Sequence, residues 1–230
     1  MTEETQALIS KFISSFKVLL KKKGAEDIFR EARLLDIRYR LTLDLRISIE
    51  STYSHTKSKS VRECYERLFR FLDFWNVYEL CCAYGKELGV FTNNKTSGWD
   101  ESFLEATGLC DFLRSHAEQF KKNFVLGERN TEKYHLYLAH LAELDAVTAG
   151  NKTKIKANLA APAEDFYYQQ LLFIQYMERN AYYHGGEAAR AGIDYGYRKK
   201  QLDFYIEFLT EFIARMGIEL FNKELNMEEK

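Results

Sequence analysis

Close to the C-terminal end of the chain, Arg179-Asn180-Ala181-Tyr182-Tyr183-His184-Gly185-Gly186 brings a guanidinium, a carboxamide and an imidazole together. These side chains suit work on a phosphate: a planar cation for its oxygens, an amide to orient, an imidazole to move a proton. At about 100° per residue, Asn180 and His184 stand one turn apart on one helix face. Arg179 begins about 140° from His184 and is expected to reach round on its long stem. The two glycines supply the left-handed conformation that commonly ends a helix. His184 is then left in the last turn, where the macrodipole favours its protonated form.

An ordinary helix end looks the same, because His suits a last turn and Gly the position beyond it. A loose Arg-x(4 to 6)-His spacing is expected on the order of once by chance in such a composition. A second match, Arg129-Asn130-Thr131-Glu132-Lys133-Tyr134-His135, follows Gly127. It reads as a coincidence at the start of a helix, with Asn130 or Thr131 as the cap.

The run Arg179-Asn180-x-x-x-His184-Gly185, late in a helical chain and followed by another amphipathic helix, resembles the signature of the HEPN superfamily. The resemblance covers residues 163–225 and says little about residues 1–150. It implies an all-α, HEPN-like helical bundle with additional N-terminal helices, a single domain over residues 1–230 with its motif-bearing core at 163–225. It also implies a homodimeric endoribonuclease that needs neither metal nor other cofactor, of the kind found in toxin–antitoxin and antiviral systems. Other members of the superfamily are non-catalytic, so a binding or dimerisation module is the competing expectation. A fortuitous match, on an unrelated helical interaction protein, is the third.

In the nuclease reading Arg179, Asn180 and His184 are the catalytic candidates. The RNA 2′-hydroxyl attacks the adjacent phosphorus, with His184 as general acid or base and Arg179 stabilising the charge that grows on the phosphoryl oxygens. Asn180 orients His184 or a phosphate oxygen. Tyr183, Arg190 and Lys199, aromatic and cationic residues around the motif, are candidate RNA contacts. One chain carries one such Arg and His, so two acid–base groups in one cleft require symmetric pairing of motif helices. The partners implied are RNA, a second copy and an antitoxin or regulatory protein.

Composition narrows the classes. With 46% hydrophobic and 29% charged residues the chain reads as globular rather than disordered. A formal net charge of -1 provides no overall basic field, so nucleic acid must be met by a local patch. The single proline favours long helices over a turn-rich β architecture. No secretory signal and no apolar run approaching the roughly 20 residues of a membrane span is visible, so a cytoplasmic protein without membrane contact is expected. Cys64, Cys81, Cys82 and Cys110 form no metal-binding pattern and read as reduced core or boundary residues.

The elements that must position the motif follow from periodicity. A first helix is expected over Glu3 to Lys23, with Leu8, Phe12, Phe16 and Leu19 inward and Gly24 as its stop. Residues 35–49 alternate apolar and polar like a strand, but such a strand would span about 50 Å. A helix is preferred, burying Leu34, Ile37, Leu41 and Leu45 as one stripe while Tyr39, Leu43 and Ile47 cover another side. Val61 to Leu88 predicts a helix with Tyr65, Leu68, Leu72, Trp75 and Tyr78 inward, and Phe69, Phe71 and Phe74 also in the core. Residues 89–98 read as a surface loop, Asp100 to Phe124 as one helix, Asn130 to Ala149 as the next, and 150–161 as a loop with Lys152, Lys154 and Lys156. The motif helix is expected from Pro162 to Tyr183 and a last amphipathic helix from Tyr197 to Phe221.

Overall fold

The computed structural model describes residues 2–49, 58–92, 100–143, 148–160, 166–185 and 194–227. The chain is all-α: among the described residues there is no strand, and the regular elements are α1 (Glu3–Lys23), α2 (Arg30–Asp44), α3 (Lys59–Glu87), α4 (Glu101–Ala106), α5 (Leu109–Phe120) with a π-helical end (Lys121–Val125), α6 (Glu128–Glu143), α7 (Ala149–Ala160), α8 (Tyr168–Gly185) and α9 (Tyr195–Leu225). No described helix is long and apolar enough to cross a membrane.

By its internal contacts the chain divides into two compact units, each assembled from separated segments. Unit one takes Met1–Arg46, Asp73–Phe112 and Ile206–Lys230; unit two takes Ile47–Leu72 and Leu113–Tyr205. The stretch 163–225 is therefore divided at Tyr205.

Unit one begins with α1, bounded as its sequence predicts. The Thr2 hydroxyl accepts the Thr5 N–H at 3.1 Å, and Gly24, at φ 87°, turns its own N–H back to the Leu20 carbonyl. Helix α2 resolves the ambiguity of residues 35–49 in favour of helix up to Asp44, with Leu45 extended. Of the two sides expected to be covered, it buries the one that carries Tyr39 and not the leucine stripe. Ala32, Leu35, Asp36, Tyr39 and Thr42 are buried, whereas Ile37 is 49% and Leu41 58% exposed. Tyr39 explains the rotation: its ring meets Phe12 edge-on at 4.7 Å and its hydroxyl donates to the Thr210 carbonyl at 2.7 Å. An aromatic ring with a satisfied hydroxyl outweighs a stripe of leucines in choosing the buried face. Phe12 and Phe16 pack on Phe221 at 5.2 and 5.4 Å, and Gly217 of α9 lies where a Cβ would overlap the Phe12 ring.

The helix expected from Asp100 to Phe124 is broken. Asp100 caps α4 by accepting the Ser102 N–H at 3.0 Å, but Gly108 adopts φ 72° and ends it, and α5 starts afresh at Leu109. In unit two, the segment expected as a loop at 150–161 is helix α7. Thr148 caps it, its carbonyl accepting the Lys152 N–H at 2.9 Å; Ile155 is its buried residue, and the helix packs on α6. The polar residues after Gly150 are tolerated because nothing among them forbids a helix once that anchor is buried. Helix α8 also packs on α6. Pro162 lies outside the described residues, and the motif helix begins at Tyr168. All four cysteines are buried and unbridged, as expected.

Candidate functional site

Helix α8 carries the motif and turns an unusual face inward. Leu171, Leu172, Ile174, Met177 and Ala181 are buried as any amphipathic stripe would be, but so are Gln175 and Glu178, at 0% and 1% exposure. Glu178 accepts hydrogen bonds from the Tyr137 hydroxyl of α6 and from the Arg198 guanidinium of α9. Arg198 is fully buried, donates also to the Gln201 side-chain oxygen at 2.6 Å and lies over the Tyr137 ring at 5.4 Å. Burial is the strongest influence and disfavours the Arg198 charge, but Glu178 together with Tyr137, Tyr205 and Cys64 outweighs it and holds the group above its ordinary range. Burial first, then the Glu178 charge, drives the Tyr137 phenol far up. The residue immediately before Arg179 is thus locked to two other helices.

One residue on, the environment changes. Arg179 is half-buried, its Nη1 donates to the Asn180 Oδ1 at 2.9 Å, and its guanidinium lies 4.9 Å from the Tyr183 ring centroid. Asn180 is 8% exposed and Tyr183 47%. Arg179 and Tyr183 are a turn apart, so the cation–π contact runs along one helix face. The structure therefore brings Arg179, Asn180 and Tyr183 together. His184 belongs to the last turn of α8, with its side chain outside the described residues, as is Arg190. Lys199 is engaged elsewhere: its Nζ donates to a Glu63 carboxylate oxygen at 2.7 Å, and this bond holds the Glu63 carboxyl below the usual range. The second Arg-Asn match opens α6, but its Asn130 and Thr131 side chains donate to the Asn123 and Val125 carbonyls instead of capping.

Two neighbours of the site, expected in the interior from periodicity, are not fully buried. Of the aromatic crowd on α3, Phe71, Phe74 and Trp75 are buried at 0–1% exposure, but Tyr65 and Phe69 are only half-buried. Phe69 meets Tyr182 edge-on at 5.5 Å, Tyr65 lies 6.1 Å from Phe69, and Tyr182 meets Tyr183 at 5.7 Å. Burial, then the neighbouring Tyr183 and Tyr65, raise the Tyr182 phenol. The one signal for them was the Tyr65-x-x-x-Phe69 spacing, which puts both rings on one face. Tyr197 is a core residue, with its hydroxyl donating to the Phe124 carbonyl at 2.7 Å.

Among the described residues no group of three or more His, Cys, Asp and Glu side chains is arranged to hold a metal ion. No family model matches the chain, and no curated protein or solved structure matches it.

Proposed function

We propose that this chain is an endoribonuclease of HEPN-like type, acting in the cytoplasm as a homodimer, that cleaves RNA through attack of the 2′-hydroxyl on the neighbouring phosphorus. The observation that carries the reading is the half-buried Arg179 guanidinium held beside Asn180 and Tyr183 in the helix end that also bears His184. A guanidinium fixed in this way is oriented before a phosphate arrives, and pre-orientation raises its value in a transition state where phosphoryl charge develops. His184, in the same last turn, is the proton-transfer group. A second copy brings the second imidazole, and a toxin–antitoxin or antiviral setting, with an antitoxin or regulatory protein to restrain it, suits an enzyme of this kind.

The test is incubation of the purified protein with mixed cellular RNA and analysis of the fragment ends. Ends carrying 2′,3′-cyclic phosphate are expected, with His184→Ala and Arg179→Ala each lowering the rate about a hundred- to ten-thousandfold while the far-ultraviolet helix signal is unchanged. Fragments ending in a free 3′-hydroxyl overturn the mechanism. A second reading, a non-catalytic RNA- or nucleotide-binding module, is favoured by one feature: the Arg179 guanidinium already has an aromatic face and an amide as partners, an arrangement suited to holding an anion. Binding of RNA by the wild-type protein with no cleavage would select it.

A further inference from the structure

We infer that Tyr65 and Phe69 of α3, with Tyr182 and Tyr183 of α8, form a stacking surface for the unpaired bases of a single RNA strand beside Arg179. The inference rests on the RNA reading of the same site and adds to it the form of RNA taken and the residues that select it.

The four rings make a continuous row within unit two: Tyr65 to Phe69 at 6.1 Å, Phe69 to Tyr182 at 5.5 Å, Tyr182 to Tyr183 at 5.7 Å. The Arg179 guanidinium ends the row, 4.9 Å from the last ring. Exposure separates this row from the interior aromatics, and two further features suit it to stacking. None of its members is fully buried, whereas Phe71 and Phe74 on the same helix are at 0% exposure. Its two central contacts are close to perpendicular, at 84° and 77°, so these rings meet edge-on rather than stacked on one another. A cation stands at one end, as a strand with a phosphate between consecutive bases requires.

Rings of this sort are recognised by flat π-systems, and a strand whose bases are unpaired presents them with every nucleotide. A duplex keeps its base faces stacked within itself and offers only edges and backbone. Stacking on rings is also tolerant of base identity, so the row selects strandedness before sequence. On this arrangement the bases flanking the reacting linkage lie on α3 and α8 while their shared phosphate meets Arg179. Tyr65 and Phe69 thereby hold the strand without touching the reacting atoms.

The experiment uses the full chain and a fluorescently labelled oligonucleotide with 2′-O-methyl groups throughout, which cannot be cut by its own 2′-oxygen, read by anisotropy. Tyr65→Leu and Phe69→Leu are each expected to weaken single-strand binding about tenfold. Tyr65→Trp is expected to retain or tighten it, and the annealed duplex to bind equally weakly to all forms. Because stacking releases no counterions, the salt dependence of binding should be the same in wild type and variants. Thermal unfolding checks the fold of each variant, and the opposite directions expected for Leu and Trp at one position separate stacking from general damage. Equal single-strand affinity across wild type, Leu and Trp forms overturns the inference, and cleavage that persists in them leaves the nuclease reading intact. A wild-type protein that binds neither strand nor duplex removes both.

Discussion

Glu224 in unit one and Glu178 in unit two are both about as buried as a residue can be, at 1% exposure, and both accept a tyrosine hydroxyl, from Tyr84 and Tyr137 respectively. They differ in what neutralises the rest of the carboxylate. Glu224 takes the Phe29 N–H at 2.9 Å, and Phe29 is the cap position of α2, where no side-chain cap is present. The positive end of a helix meets that charge, and a distant residue does the work that Ser or Asp usually does locally. Glu178 faces a guanidinium with no exposure at all. A helix start is a fixed partial charge that costs little to leave; a buried guanidinium is a full charge that must be matched. The contrast shows that one chemical group fastens a helix end in one unit and fixes the rotation of the motif helix in the other.

The largest effect is expected at Glu178. Glu178→Leu leaves Arg198 buried without its carboxylate and is expected to destabilise the fold by about 3–5 kcal/mol. Urea unfolding followed by circular dichroism would measure it. The double variant Glu178→Leu/Arg198→Met removes both charges and is expected to regain most of that loss, since an apolar pair of similar volume is often as stable as a buried ion pair. If the single and double variants lose stability equally, the pair is not what holds Glu178 in place, and the contrast with Glu224 collapses.

How much of this was legible in the sequence depends on how local each cause is. Helix α1 was readable to its ends because its acidic first turn, lysine-rich last turn and Gly24 stop all lie inside it. The break at Gly108 was also local, but the run from Phe103 to Phe124 kept its periodicity across it, and the positive φ left no mark beyond one glycine. Of the two apolar sides of α2, the sequence does not show which is buried, because Tyr39 is anchored by Phe12 and Thr210, neither near it in the chain, while Ile37 and Leu41 stay exposed. Helix α7 is not legible because Gly150 and a polar run resemble a loop until the helix packs on α6. At the candidate site the closeness of Arg179 and Asn180 followed from adjacency and stem length. The ion pair of Glu178 and Arg198 could not be read, since a charge on a helix looks solvated unless its distant partner is known. Tyr65 and Phe69 were placed inside with their neighbours because periodicity gives a face but not its depth.

An intermediate effect is expected at Glu224. Glu224→Ala removes the acceptor of the Phe29 N–H and of the Tyr84 hydroxyl, both part-buried or buried, at an expected cost of about 1–3 kcal/mol. That is smaller than at Glu178, because no opposing full charge is stranded. Hydrogen exchange sharpens the point: the first amides of α2 should lose protection in this variant, while in Glu178→Leu they should not. Equal protection loss in both would mean that the two glutamates act through general stability alone.

The smallest effect belongs to a third carboxylate, Glu63, which pairs with Lys199 of α9 at 2.7 Å and with Lys59 at 3.7 Å. Here water and salt reach the pair, so its attraction is screened as that of Glu178 is not. The Lys199 hydrogen bond lowers the folded-state pKa of Glu63 below its unfolded value. Its contribution is therefore whole above the unfolded glutamate range, about pH 4.3, and is lost as pH falls through the lower folded value. At neutral pH and low salt, Lys199→Ala should lower the unfolding midpoint slightly, and the difference from wild type should vanish both in molar salt and at a pH below that folded value. Lys199 is also a candidate RNA contact, which makes the same variant informative twice. If RNA competes with Glu63 for the ammonium, Lys199→Ala weakens RNA binding and Glu63→Gln strengthens it; if Lys199 only ties α3 to α9, both variants leave RNA binding unchanged.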